Sequence, residues 1–446
     1  MRRPELAAGG LPRPRPVRRE LPKTSDYDVI VVGARVAGAS TAMLLARQGH
    51  RVLMVDRATM PSDVVSTHAI LRSGVLQLTR WGVLDRVVAA GTPPIRGITL
   101  GFGEERIPFQ IRPEHGVDTL YAPRRHILDH MLVEAAEEAG AEFAEGTRLV
   151  DLLRDDEGVV TGIVAKRRGD EVAVTCRMVI GADGVWSRTA SLVEAPAYES
   201  HLATNAVTYA YYRGVEVAGF WFQFTPGVNA GIIPTNDGLC CVFAGRRNDR
   251  IAEFRADSET EFERLLGQAG PDLADRVSAG SRVSQFRGTQ GLPGFIRQPW
   301  GPGWALVGDA GYTKDPISAH GISDALRDAE LCARAVDRAI SRPEETVEAM
   351  NEYQRKRDDL SLPMFRESQA LARYQWDADE ASRRMRAISE TVRAECAALR
   401  PWESGRRLFP PSRTDPSNPG RSYSAPGLWA GAIRPGRFRP LRCTGG

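Results

Sequence analysis

Short apolar runs bounded by glycines alternate with helical stretches at the start of the ordered chain. Residues 28–32 (DVIVV) form an uninterrupted apolar run, the pattern of a strand buried on both faces of a parallel sheet. Glycines follow, then residues 39–47 (ASTAMLLAR) read as a helix capped by Gly49. Residues 51–55 (RVLMV) give a second strand, which completes a βαβ unit. Residues 125–138 (RHILDHMLVEAAEE) carry helical periodicity up to Gly140, and 322–340 predict a long helix. Residues 177–180 and 304–307 are short strands that each run into a Gly/Asp turn.

Between those two turns the period changes to two. Residues 204–213 (TNAVTYAYYR), 219–225 (GFWFQFT) and 238–244 (GLCCVFA) predict strands. Residues 343–399 read as further helices, with a break at Pro363. The Pro/Arg-rich residues 1–25 and most of 400–446 lack a core-forming pattern and are expected to be disordered tails. The expected architecture is α/β. A Rossmann-like domain is assembled from 26–90, 120–190 and 300–340. It is interleaved with a mixed β-sheet substrate domain (91–119 and 191–299), and C-terminal helices follow over 341–399.

Composition narrows the options. A net charge of +3 gives no electrostatic case for nucleic acid. Only Lys23, Lys166, Lys314 and Lys356 are lysines among 59 basic residues, a bias of composition more than of function. The cysteines (176, 240, 241, 332, 396 and 443) form no C-x-x-C pair and no cluster with metal-ligand spacing. No metal site is expected, and a reducing cytoplasm fits best. Cys240 and Cys241 are expected on opposite faces of one strand. No apolar run approaches a membrane span.

Three turns carry chemistry. Gly33-Ala-Arg35-Val-Ala37-Gly38 has the frame of G-x-G-x-x-G, with Arg35 where the middle glycine would stand. Such a turn aims backbone N–H groups and a helix N-terminus at a pyrophosphate. Asp56, at the end of the second strand and followed by Arg57, can accept hydrogen bonds from ribose hydroxyls. Gly181-Ala-Asp183-Gly184 is the second turn. The third is Gly308-Asp309-Ala-Gly-Tyr312, followed by Pro316 and by Gly321 at a helix start. Each alone is an ordinary turn.

In order and spacing these segments resemble the class A FAD-dependent monooxygenases, with the p-hydroxybenzoate hydroxylase type of fold. The resemblance runs from about Tyr27 to Ile340. It implies FAD as cofactor and NAD(P)H as transient reductant. By that likeness Gly33, Arg35, Ala37 and Gly38 shape the pyrophosphate site, and Asp56 with Arg57 meets the adenosine end. Arg125 contacts FAD, and Asp183 is associated with the pyrophosphate and nicotinamide use. Gly308 and Asp309 hold the ribityl chain, and Pro316 borders the isoalloxazine. Gly321 and Ile322 offer N–H groups to its N1/O2 edge, where they stabilise reduced flavin. The chain departs from the family at Arg35, at Tyr312 (commonly His) and at His320 (commonly Gln). Its wording around STH and GDAGYTKDPISAHG is similar to a bacterial subgroup related to geranylgeranyl reductases and flavin halogenases.

The resemblance implies hydroxylation of an aromatic or polyketide-like small molecule through a flavin C4a-hydroperoxide, with O₂ as co-substrate. The alternatives are reduction of an isoprenoid or other C=C bond, halogenation, and a non-catalytic flavoprotein. Halogenases of this group carry W-x-W-x-I-P and an active-site lysine. Residues 229–234 (NAGIIP) lack the tryptophans, and Ser66-Thr67-His68 lacks the lysine. His320 and Lys314 are the candidate catalytic residues, although Lys314 with Asp315 also reads as a surface ion pair. His68 could meet the flavin edge or be structural. Tyr209 and Tyr211 share a strand face and, with Trp221 and Phe224, either form core or line a substrate pocket. A monomer or homodimer is expected.

Overall fold

In the computed structural model, residues 27–250 and 257–399 are described; the two expected tails lie outside them. The strand Tyr27–Val32 is the centre of a parallel sheet. It pairs with Val52–Asp56 on one side and Asp170–Gly181 on the other. Trp304–Leu306 and Glu142–Glu145 extend the two flanks in parallel. The strand order therefore reverses beside Tyr27–Val32, the point where open α/β sheets leave a crevice at their carboxyl ends. The turns at 33–38, 181–184 and 308–312 all follow strands of this sheet, so all three emerge at that one edge.

A second sheet takes strands from two distant parts of the sequence. Gly97–Phe102 pairs in parallel with Phe220–Thr225, which continues through Val228–Pro234 and Leu239–Arg247 to Asn205–Arg213. One face buries Tyr212, Trp221, Ile232, Cys240 and Val242 beneath the helices Ser258–Ala269 and Pro271–Ser278. Cys240 and Cys241 occupy opposite faces as their adjacency requires: Cys241 lies across from Tyr211. The cysteines among the described residues are free thiols.

The helix Arg125–Glu138 has the bounds its periodicity predicts. Pro363 does not break the chain as expected. A single helix, Thr346–Ala372, runs through it. The missing N–H and ring clash cost about 3 kcal/mol. Burial of Met364, Phe365 and Leu371 on the helix's inner face offsets this, at about 1.5–3 kcal/mol per side chain. The helix Ala378–Ala398 follows, capped by Asp377, which accepts from the Glu380 N–H. Among the described residues no helix is long and apolar enough to cross a membrane.

Candidate functional site

The first turn is built as tightly as its glycines imply. Gly33 has φ +102°, and a side chain there would strike the Ala182 carbonyl of the neighbouring strand's turn. A side chain at Gly38 would collide with the Gly33 carbonyl. Arg35 stands at φ −92°, ψ −165°, ordinary extended backbone that any residue adopts, so the missing glycine creates no strain. The helix Val36–Arg47 starts without a side-chain cap and without an acid in its first turn. Its first N–H groups therefore remain available to an anion. Asp56 fixes the turn from below, accepting from Ala34 N–H and Ala58 N–H at 2.8 Å each. Its remaining lone pairs can still accept from a sugar hydroxyl.

Two arginines meet beside this helix end. Asp129 is fully buried and accepts from Arg35 at 3.0 Å and from Arg125 at 2.8 and 3.0 Å. Arg35 also donates to Ser62 at 3.1 Å. One carboxylate thus orients two guanidinium groups and leaves an excess positive charge. Asp129 had a sequence signal that motif reading passed over, since it lies four residues after Arg125 on one helix face. Asp183 spends its carboxylate within its own turn, accepting from the Ser187 hydroxyl at 2.5 Å and the Thr189 N–H at 2.9 Å. Arg57 is exposed just beyond the strand.

The third turn closes on the first. Gly308 has φ +59°, and a side chain there would meet the Ala37 methyl 2.7 Å away. Asp309 is open to solvent, yet burial by surrounding protein pushes its carboxyl up, against the pull of Lys314 and Arg125. Arg125 and Lys314 are near enough to act on it, so Asp309 shares their electrostatic surroundings. Pro316, half-buried, opens a single 3-10 turn, Pro316–Ser318. Gly321 then starts the helix Gly321–Ser341, again with no side-chain cap and with no heavy atom within 4 Å of where a side chain would begin. Ile322 behind it is buried. The Ser318 hydroxyl and His320 Nδ1, both in this loop, are buried without hydrogen-bond partners. Two uncapped helix ends, a tight glycine cradle, two arginines and orphaned polar atoms fit a dinucleotide with an extended ring system.

Residues 26–368 match the FAD binding domain family. This chain belongs to that family. The flavoprotein has the class A FAD-dependent monooxygenase fold, and FAD is its cofactor. It is 26% identical over 341 residues to digeranylgeranylglycerophospholipid reductase 1 of Methanococcoides burtonii, covering 74% of this chain and 79% of that one. It is 27% identical over 343 residues to a tryptophan 2-halogenase of Chondromyces crocatus, covering 74% and 65% respectively. PqsL, a probable FAD-dependent monooxygenase of Pseudomonas aeruginosa, superposes with a TM-score of 0.71 at 21% identity, over 82% of this chain and 100% of that one.

In this flavoprotein Lys314 is not half of a surface pair with Asp315. Its ammonium is buried against Asp324, in the first turn of the helix Gly321–Ser341. Desolvation and the neighbouring Arg327 pull it down to about 7. Arg327, itself buried, bonds Asp324 at 2.9 Å, Asp328 at 2.8 Å and the Ser361 hydroxyl at 2.7 Å. His320 Nε2 lies 2.7 Å from Glu395 of the last described helix. Burial works against ionisation of Glu395, but His320, Arg327 and Lys314 hold it down at about 2. Burial also keeps His320 below its ordinary value, although Glu395 pulls the other way. His320, Asp324 and Glu395 bring three ligand-type atoms within 4.8 Å of one another, but the Lys314 and Arg327 cations already occupy that acidic space. Both expected catalytic residues therefore belong to one buried ionic network under the helix end.

Asp315 turns the other way. It accepts from Asn205 at 2.8 Å and from the Ile317 N–H at 3.0 Å, with no cation in contact. Burial pushes its carboxyl up to about 7. Asn205 accepts from Tyr374 at 2.7 Å, and the same hydroxyl reaches Asn229.

The second sheet's other face is aromatic. The register aligns Tyr209 with Phe243, Phe243 with Gly231, and Gly231 with Phe222. Tyr211 and Phe224 point to the same side; Trp221, grouped with them on sequence, packs under the two helices of the opposite face. Phe224 stacks on Phe102 at 5.9 Å. The face meets the segment after the first βαβ unit. Ser66 N–H approaches the Tyr209 hydroxyl at 3.5 Å, and His68 Nε2 lies 2.5 Å from that of Tyr211. His68 is thus tied to the sheet, and burial and Arg125 push it down to about 3, so it is a neutral imidazole.

Proposed function

We propose that this flavoprotein is an NAD(P)H-dependent monooxygenase that hydroxylates an aromatic or polyketide-like small molecule. The observation that carries this reading is the aromatic face of Tyr209, Tyr211, Phe222, Phe224 and Phe243, with His68, from the segment after the first βαβ unit, hydrogen-bonded to Tyr211 on that face. A flat, electron-rich substrate suits such a wall, since aromatic contacts add about 0.5–1.5 kcal/mol beyond area burial.

In this reading the Gly33–Gly38 turn, Arg35 and Arg125 hold the pyrophosphate, and Asp56 holds the ribose. Asp309 accepts from the ribityl chain. The N–H groups of Gly321 and Ile322 face the flavin's N1/O2 edge, where the uncapped helix end favours the reduced cofactor. When bound, FAD would supply two-electron redox chemistry between NAD(P)H and O₂. The buried aromatic face excludes water from the reacting groups and fixes the substrate's orientation.

Halogenation is disfavoured by the lysines. Lys314 is consumed by Asp324, while Lys166 and Lys356 pair with surface carboxylates. No described lysine is free to carry a haloamine. Reduction of an isoprenoid C=C bond is the second reading, favoured by the 26% identity to the archaeal reductase. Oxygen separates the two. The holoenzyme is reduced anaerobically by NADH or NADPH with candidate aromatics, then given O₂, and products are weighed. A gain of one oxygen atom, with O₂ consumed in step, is the expected result. Saturation of a double bond without O₂ uptake selects the reductase.

A further inference from the structure

Arg124 and Arg125 are consecutive, yet they serve two different carboxylates. Arg125 shares Asp129 with Arg35. Arg124 shares Asp63 with Arg287, at 3.2 and 2.8 Å. The second group repeats the first: one carboxylate between two arginines, again with one positive charge in excess. It sits where the loop after the first βαβ unit, the start of the Arg125–Glu138 helix and the substrate sheet's strand Arg287–Thr289 converge.

Three features separate this triad from an ordinary surface salt bridge. Its position is built. The Arg124 N–H donates to Asn236 at 3.0 Å, and Asn236 is anchored to Thr92 at 3.0 Å and to the Ala90 carbonyl at 2.9 Å. Its hydrogen bonding is incomplete. Arg124 Nε, Asp63 Oδ1 and His68 Nδ1 are all buried without partners, and His68 is 1% exposed with φ +70°, a strained backbone for a histidine. It is also continuous with the aromatic face. The Arg124 guanidinium lies 4.4 Å from the centre of the Tyr211 ring, which stacks on His68 at 5.8 Å.

We propose that Arg124 and Arg287, with His68 beside them, form the anchoring subsite for an anionic group on the substrate, so that the substrate is an aromatic acid. A guanidinium offers paired donors matched to a carboxylate. With the Tyr211 hydroxyl donating to Nε2, the imidazole carries its proton at Nδ1 and adds one donor there, and Tyr209 and Tyr211 supply the apolar wall for the ring. A nicotinamide phosphate is the other anion that could meet the triad. The stacking of Arg124 on Tyr211, on the aromatic sheet, favours the aromatic acid.

The inference rests on the proposed aromatic substrate, so its test reads binding and not turnover. The FAD-loaded full chain is titrated with 1-naphthoate and with 1-naphthamide, following the flavin spectrum, without reductant. Naphthoate should bind at least about tenfold tighter than the neutral amide, the low end for a charge-assisted hydrogen bond. Arg124→Gln should abolish that preference while FAD content and melting temperature stay unchanged. Asp63→Asn, which removes the competing negative charge, should tighten naphthoate binding, a gain that misfolding cannot mimic. Equal binding of acid and amide, no response to naphthoate, or a preference that survives in Arg124→Gln would overturn the subsite. So would an Arg124→Gln variant whose only defect is slower reduction by NADPH, which would assign the triad to the nicotinamide. Naphthoate selectivity in an enzyme that consumes no O₂ would leave the subsite standing and sink the monooxygenase reading instead.

Discussion

Two groups of charged residues lie on either side of the proposed flavin site, and they are organised in opposite ways. Under the helix Gly321–Ser341, Lys314, His320 and Arg327 each contact a carboxylate, and all six partners are buried. At the other wall, Arg35 and Arg125 share Asp129, and Arg124 and Arg287 share Asp63, with their guanidinium groups partly open. The buried contacts tie the helix Gly321–Ser341 and the turn before it to the two helices that follow. Unmatched, accessible positive charge attracts an anion. On that ground we read His320 and Lys314, the expected catalytic residues, as structural, and Arg124 and Arg287, which carry no local sequence signal, as joining Arg35 and Arg125 at the proposed site.

The largest test breaks the buried side. Arg327→Met strands Asp328 without a cation and leaves Asp324 to Lys314 alone, and should cost about 3–5 kcal/mol in urea unfolding. A loss under 1 kcal/mol would mean that the network does not bind the helices.

Asp315 sharpens the contrast, being buried beside Lys314 without a cation of its own. Its folded-state pKa of about 7 lies above the ordinary 3.8. The stability of the neutral form is therefore present at about pH 4 and lost as pH rises through 7. Asp315→Asn should match the wild type near pH 4 and exceed it by about 2–4 kcal/mol at pH 8. Parallel stability curves across that range would reject the assignment.

On the open side, Arg35→Gly should weaken FAD binding about tenfold at low salt and by less at high salt, as screening predicts. Equal affinity at both salt concentrations would remove Arg35 from the pyrophosphate. The smallest effect is expected from Asp309→Ala. The loss of its hydrogen bonds to the ribityl chain is worth about 0.5–1.5 kcal/mol each, read as a lower FAD occupancy after dilution.

Much of this was legible where the signal is local. The βαβ unit, the Arg125–Glu138 helix and the shared face of Tyr209 and Tyr211 follow from periods of 3.6 and 2 and from glycine caps. Partners distant in sequence were not legible. Lys314 reads as a surface neighbour of Asp315 because nothing local announces Arg327 or Glu395. Asp63 and Arg287 stand 224 residues apart. Pro363 misleads because a propensity rule cannot see the packing that outweighs it.

The contact between His320 and Glu395 also sets an order of assembly. His320, at the start of the helix Gly321–Ser341, gains its partner only from the last described helix, whose end is pinned by Arg80 to the Leu399 carbonyl. During synthesis His320 is therefore made 75 residues before the carboxylate it meets. A chain cut short of residue 395 would leave that buried imidazole with no hydrogen-bond partner on either nitrogen.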